Sequence, residues 1–357
     1  MGDRKGRSRI TGIDALRGVA VLCMLTQHVV FWLSAERHNS PAMMLAGAVG
    51  GLAAPLFIVL AGLGATLTVT GNKNGNFLMV RRGLVILGFG YLLNLLAPNW
   101  FAPGSWYVLH MIGFGIFSVP LIAWASDRTL IAVIFMVITA TACLQSYLDT
   151  PLVLNNALMV NTSLTGGIFR LALLEGFFPI FPWIAFFIAG MLAGRRIIDR
   201  SHGSILRTGL VFLELSVIVS GVYYTDLFTT LGDPAVRFFK PVPSFYPAFA
   251  PISLFLISVA LIFVTTFMAL NRAVAITSDN VLVCLGRSSM TILLVHIIVV
   301  RESAVRLGFW RSFSIEETAL ITALIVIFFA AAARLWRKVD YRFGAEWTLR
   351  AISGKTS

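Results

Sequence analysis

The sequence predicts an all-α integral membrane protein, a bundle of about ten transmembrane helices joined by short loops. Three observations carry that prediction. Hydrophobic residues make up 58% of the 357 and charged residues only 12%, about half the charge of ordinary soluble domains. Mean hydropathy is +0.86, and apolar runs of about twenty residues, long enough to cross a hydrocarbon core, recur along the chain. The Lys and Arg residues gather in short segments between those runs, as membrane orientation signals do.

The spans fall at 12–34, 45–70, 78–97, 105–125, 129–148, 177–196, 206–225, 247–270, 281–300 and 316–336. The first follows a basic segment (Arg4, Lys5, Arg7, Arg9), as a secretory signal would. It lacks a small-x-small cleavage site and carries Asp14 and Arg17 in its first turns, so it is read as a retained helix. Arg37 follows it, and Lys73, Arg81 and Arg82 lie around the next crossing. Arg128 lies between spans four and five, and Arg170 in the longer segment 149–176. Arg195, Arg196, Arg200 and Arg207 lie between spans six and seven, Arg237 and Lys240 in the Pro- and aromatic-rich segment 226–246. Arg272 precedes the ninth span; Arg301, Arg306 and Arg311 follow it. The remaining cations close the chain after residue 333.

With Arg17 and Arg287 set aside as lying within spans, 19 Lys and Arg residues fall on the side of the termini and 7 on the other. The positive-inside rule therefore puts both termini in the cytoplasm. The expected organisation is a cytoplasmic basic segment 1–11, one transmembrane domain 12–336 and a cytoplasmic tail 337–357, with no soluble domain and no internal repeat.

A net charge of +12 and a pI near 10.3 do not indicate a nucleic-acid partner, because the cations are spread among the loops. The partner that composition implies is the lipid bilayer. Cys23, Cys143 and Cys284 lie in separate spans without paired spacing and are read as small apolar packers, neither disulfide nor metal site. Asn161-Thr162-Ser163 has the form of a glycosylation sequon. Gly47-x-x-x-Gly51 and Gly190-x-x-x-Gly194 permit close helix packing and leave a homodimer open.

The ionisable residues separate by depth. Arg17, Arg81, Arg82, Arg195, Arg196 and Arg287 fall on the inner side; His28, His38, His110 and His296 fall on the outer half, and His202 alone of the histidines is cytoplasmic. At 100° per residue, Asp14, Arg17 and His28 share one stripe of the first helix. Arg17 and His28 are about 16 Å apart along its axis. Ionisable side chains within a span face a bundle interior or a water-filled cavity. Such a stripe suits a ligand anionic at one end and reactive at the other.

The stretch "IDALRGVAVLCMLTQH" resembles the start of acyltransferase-3 proteins, where Asp-x-x-Arg-Gly precedes an essential catalytic histidine. The blocks "APLFIVLAGLGATL" (54–67), "VRRGLVILGFGYLL" (80–93), "VLHMIGFG" (108–115), "FPIFPWIAFFIAGMLAGR" (178–195) and "LGRSSMTILLVH" (285–296) are similar, in that order, to the heparan-alpha-glucosaminide N-acetyltransferase type. The chain departs from the first group, which carries Arg-x-x-Arg where Arg81 and Arg82 are adjacent here. It departs from the second in having His28 where those proteins have Asn. They use a histidine soon after the first span, near His38, so His28 and His38 are two candidates for one catalytic role.

The resemblance implies transfer of an acyl group, usually acetyl, from cytoplasmic acyl-CoA to a hydroxyl or amine of a surface glycan or lipid, in the cell membrane of a bacterium. Acetyl-CoA would be the co-substrate, with no metal. Arg17, Arg81, Arg82 and Arg287 would hold its phosphates through their donor forks, with Ser288 as a further donor. Asp14 would orient Arg17. His28 would act as general base or accept the acyl group, since neutral imidazole is available near pH 7. His110 and His296 would contact the acceptor substrate. Two other readings compete: a transporter or flippase using the polar stripe as a path, and a non-catalytic module presenting its outer loops to a glycan synthase.

Overall fold

The computed structural model describes residues 10–37, 39–225, 232–242 and 245–354. Among them there is no β-strand, only isolated bridges joining Ser34 to Phe313 and Phe245 to Ala248. The helices are α1 (Thr11–Leu33), α2 (Pro41–Gly50), α3 (Ala53–Gly71), α4 (Gly75–Leu96), α5 (Val108–Ile122) and α6 (Asp127–Tyr147). There follow α7 (Asn156–Met159), α8 (Gly167–Arg170), α9 (Ile180–Ile198), α10 (His202–Val222), α11 (Asp233–Phe239) and α12 (Ala250–Val274). The last are α13 (Val281–Arg287), α14 (Ser289–His296), α15 (Glu302–Arg306), α16 (Ile315–Trp336) and α17 (Ala345–Ser353).

Eight helical stretches among the described residues are long and apolar enough to cross a membrane, α2 and α3 counting as one, and a bent pair, Val281–Arg287 with Ser289–Arg306, makes up to nine. The tenth expected span is α5, which at 15 residues is about 22 Å long and falls short of a core of about 30 Å. Its expected first residues are held otherwise. The Asn94 amide donates to the carbonyls of Pro103 and Ser105 at 3.1 and 2.9 Å, and the Ala102 N–H donates to the Ser105 hydroxyl, which locks a turn just before the helix.

The helix ends follow local chemistry. Ser40 caps α2 with Pro41 at its first position, and Ser126 caps α6 beside Asp127. Ser314 and Glu317 form a reciprocal capping box on α16. The segment expected as one span at 281–300 is instead broken by 72° after α13. Ser288 stands at non-helical φ −112°, ψ 16°, its hydroxyl donating to the Cys284 carbonyl at 2.9 Å. The new helix start is capped from outside. The Glu346 carboxylate accepts from the N–H groups of Met290 and Thr291 at 2.6 and 3.2 Å and from the Thr291 hydroxyl at 2.5 Å.

The chain forms two compact units, Met1–Phe57 with Thr266–Ser357, and Ile58–Thr265. In the first, α1 and α13 pack backbone to backbone. A Cβ at Gly286 would overlap the Asp14 carbonyl oxygen, and one at Gly18 the Leu282 carbonyl oxygen. Val30, Met43 and Ala46 join α1 to α2, with Phe31 and Ile315 against them. The far end of α1 is clamped by the chain before α16, where Arg311 N–H donates to Trp32 O and Phe313 N–H to Leu33 O, at 2.9 and 3.0 Å.

In the second unit α9 lies against α3, its Gly190 meeting the Val59 carbonyl and its Gly194 the Leu63 carbonyl. The Gly-x-x-x-Gly face of α9 is thus used within this chain. The segment 148–176 is organised by a partly buried ion pair. Arg170 makes two bonds of 2.7 Å to Glu175, which is 1% exposed, and a third to Leu148 O. The Thr150 hydroxyl donates to the same carboxylate, and Arg237 of α11 donates to Thr150 O and to Asp233.

Candidate active site

In the first unit two histidines, 268 residues apart in sequence, meet. His28 of α1 and His296 at the end of α14 face each other with Nδ1 of the former 2.9 Å from Nε2 of the latter. Their rings are nearly parallel, 12° apart, with centroids 5.2 Å apart. Trp32, one turn after His28, stacks on both, at 5.0 and 5.5 Å. His296 is fully buried, and its Nδ1 lies 2.8 Å from the Ile292 carbonyl oxygen. Immediately after it the helix widens into a π segment, Ile297–Arg301, a distortion found often at functional sites. That segment ends at Arg301, paired at 2.5 Å with Glu302, both buried, and covered by Trp310.

The same two stretches of chain also carry guanidiniums. In the first turns of α1 Arg17 donates to Asp14 at 3.2 Å. Asp14 is 3% exposed and is kept inside by the close approach of Gly286 to its backbone. Arg287 follows Gly286 and lies over the Tyr341 ring, 4.8 Å from its centroid. Burial pushes the Tyr341 hydroxyl above its ordinary pKa, so it offers a neutral ring face. The Arg287 Nε is buried without a hydrogen-bond partner among the described residues. Ser288, beside it, is buried with its hydroxyl turned to the Cys284 carbonyl.

Each of these two stretches therefore carries a guanidinium and an imidazole, eleven residues apart on one and nine on the other. The imidazoles are paired, and the backbones beside the guanidiniums are in contact.

Three of the other expected site residues belong to the second unit. Arg81 and Arg82 belong to α4 in the second unit, with Arg81 over the Phe77 ring at 5.7 Å. His110 is also in that unit and fully buried. Its Nδ1 accepts from the Tyr107 N–H at 3.3 Å, capping its own helix, and a Cβ on Gly90 would meet its Nε2 at 2.9 Å. Tyr91, Trp106 and Tyr107 surround its ring. His38 lies outside the described residues.

Trp32, Tyr341 and Glu346 are site residues that sequence reasoning missed. Trp32 was findable, since residues four apart share a helix face and it follows His28 by four. Tyr341 and Glu346 lie in the segment expected as a tail, where nothing local marks a partner. Among the described residues no three of His, Cys, Asp and Glu converge as metal ligands would.

Apolar helices in membrane-crossing number, with ionisable side chains turned inward at named sites, define a multi-pass membrane protein with a polar site inside its fold. Residues 9–220, more than half of the chain, match the family described as heparan-alpha-glucosaminide N-acetyltransferase, catalytic. The chain belongs to that family, a family of acetyltransferase-type membrane enzymes. No curated protein matches it.

Proposed function

We propose that the chain is a membrane-embedded acyltransferase that moves an acyl group, acetyl in its family, from coenzyme A on the side of its termini to a hydroxyl or amine of a glycan or lipid at the opposite face. The observation that carries this reading is the His28–His296 pair, its second ring fully buried, on stretches of chain that also bear Arg17 and Arg287. The excess of Lys and Arg on the side of the termini supports a cytoplasmic donor site in a cell membrane. Two guanidiniums offer fork-shaped donors to the phosphates of the nucleotide end, with Asp14 orienting Arg17 and Ser288 adjacent to Arg287. The pantetheine arm is long enough to carry the thioester toward the histidines.

His28 serves as general base. It removes the proton of the acceptor O–H or N–H as that atom bonds to the thioester carbonyl carbon; the C–S bond then breaks, and the thiolate takes the proton back. The test supplies membranes with acetyl-labelled acetyl-CoA and a panel of glycans and lipids. Wild type labels an acceptor and releases coenzyme A, and His28→Ala slows both by about 100-fold or more. Equal labelling by the two refutes the role of His28.

The break between α13 and α14 supports a second reading, since discontinuous helices also line transporter sites. A transporter would show flux of a glycan or lipid precursor into vesicles with no thioester present.

A further inference from the structure

We infer that His296 is a positioning residue that fixes the tautomer of His28, leaving the Nε2 lone pair of His28 as the basic atom of the site. The inference deepens the acyltransfer reading and rests on it for its catalytic meaning. It begins from the oxygen of Ile292. A carbonyl can only accept a hydrogen bond, so the His296 Nδ1 that lies 2.8 Å from it must carry the proton. A neutral imidazole protonated at Nδ1 has its lone pair on Nε2. That atom faces His28 Nδ1 at 2.9 Å, and a hydrogen bond there requires His28 to donate. His28 is therefore also the Nδ1–H form.

The bonds run in one direction, from His28 Nδ1–H to His296 Nε2 and from His296 Nδ1–H to the Ile292 carbonyl. The direction is set by an atom of the main chain, which does not titrate. The logic is that of a carboxylate orienting a catalytic imidazole, with a second imidazole in the carboxylate's place. When His28 accepts a proton at Nε2, its cation keeps donating through Nδ1 to His296. The Trp32 face, stacked on both rings, adds cation–π attraction to that charge.

The experiment labels the full chain with 15N-histidine in lipid nanodiscs and assigns the two signals by comparison with His28→Gln and His296→Gln. Both histidines are expected as neutral Nδ1–H tautomers. In the same nanodiscs, His296→Leu removes the acceptor, lowers kcat by about 100-fold and leaves the KM for acetyl-CoA within about 2-fold. His296→Gln puts an amide oxygen within reach of His28 Nδ1 and recovers at least 10-fold of that loss.

An Nε2–H tautomer for His28 in the wild type overturns the inference. So does a His296→Leu enzyme with unchanged kcat. If His296→Leu does not fold, the tautomer assignment and the Gln variant decide. If no acyl transfer is found with any donor, the acyltransfer reading fails while the tautomer result still stands or falls by itself.

Discussion

The carboxylate of Glu346 holds the hydroxyl of Thr291 at 2.5 Å and the two backbone N–H groups at the start of α14. A residue from the last described helix, 55 positions after Thr291, thereby caps the helix that ends in His296 and stabilises the break at Ser288.

Glu346→Gln keeps the shape and removes the charge, so the cap weakens by about 1–2 kcal/mol. Melting of the detergent-solubilised protein should fall by a few degrees. Glu346→Ala should cost more than Gln. Equal melting temperatures for all three proteins would remove Glu346 from the account of the break.

Gly286→Ala and Gly88→Ala provide a matched contrast. A methyl at Gly286 overlaps the Asp14 backbone, whereas one at Gly88 meets nothing within 4 Å. The first should cost about 3 kcal/mol or more and lower the yield of folded protein, since the clash is with main chain. The second should be neutral or stabilise by up to about 1 kcal/mol. Melting curves of the two variants, measured side by side, check the pair.

Arg17→Gln and Arg287→Gln should each weaken coenzyme A binding by about 10-fold, a loss of about 1.4 kcal/mol, with kcat little changed. Arg287→Lys should not restore affinity, because an ammonium lacks the planar fork that stacks on Tyr341 and chelates an anion. Titration calorimetry with coenzyme A reads both results.

Arg237, and secondarily Ser146, hold the Asp233 carboxyl below its ordinary pKa of 3.8. Because the native value is the lower one, this contribution is complete above about pH 4 and disappears as pH falls through the native value. Hydrogen exchange over 233–239, corrected for its intrinsic rate, should stay flat down to about pH 4 and rise below it. Asp233→Asn should exchange faster at neutral pH and lose the acid step.

The helices were legible because span length is a local property. Twenty apolar residues declare themselves wherever the chain goes, and α1, α4, α6, α10 and α16 lie close to where the runs of hydropathy place them. The shortened α5 and the break at Ser288 were not legible. Each depends on side chains elsewhere, Asn94 for one and Glu346 for the other, and no periodicity reports them. The same division holds in the site. The Asp14–Arg17 pair could be read from helical spacing. That the rings of His28 and His296 touch is a fact of packing, as is the burial of His110 as a cap for its own helix.

The unit that holds both histidines is built from two pieces of chain separated by residues 58–265. Translation delivers α1 early and α14 more than 250 residues later. Throughout that interval the nascent chain lacks His296, the partner that orients His28. The site cannot exist while the ribosome is still making the middle of the protein. Coexpressing residues 1–275 with 276–357, cut in the turn after α12, should rebuild it only when the second piece is present.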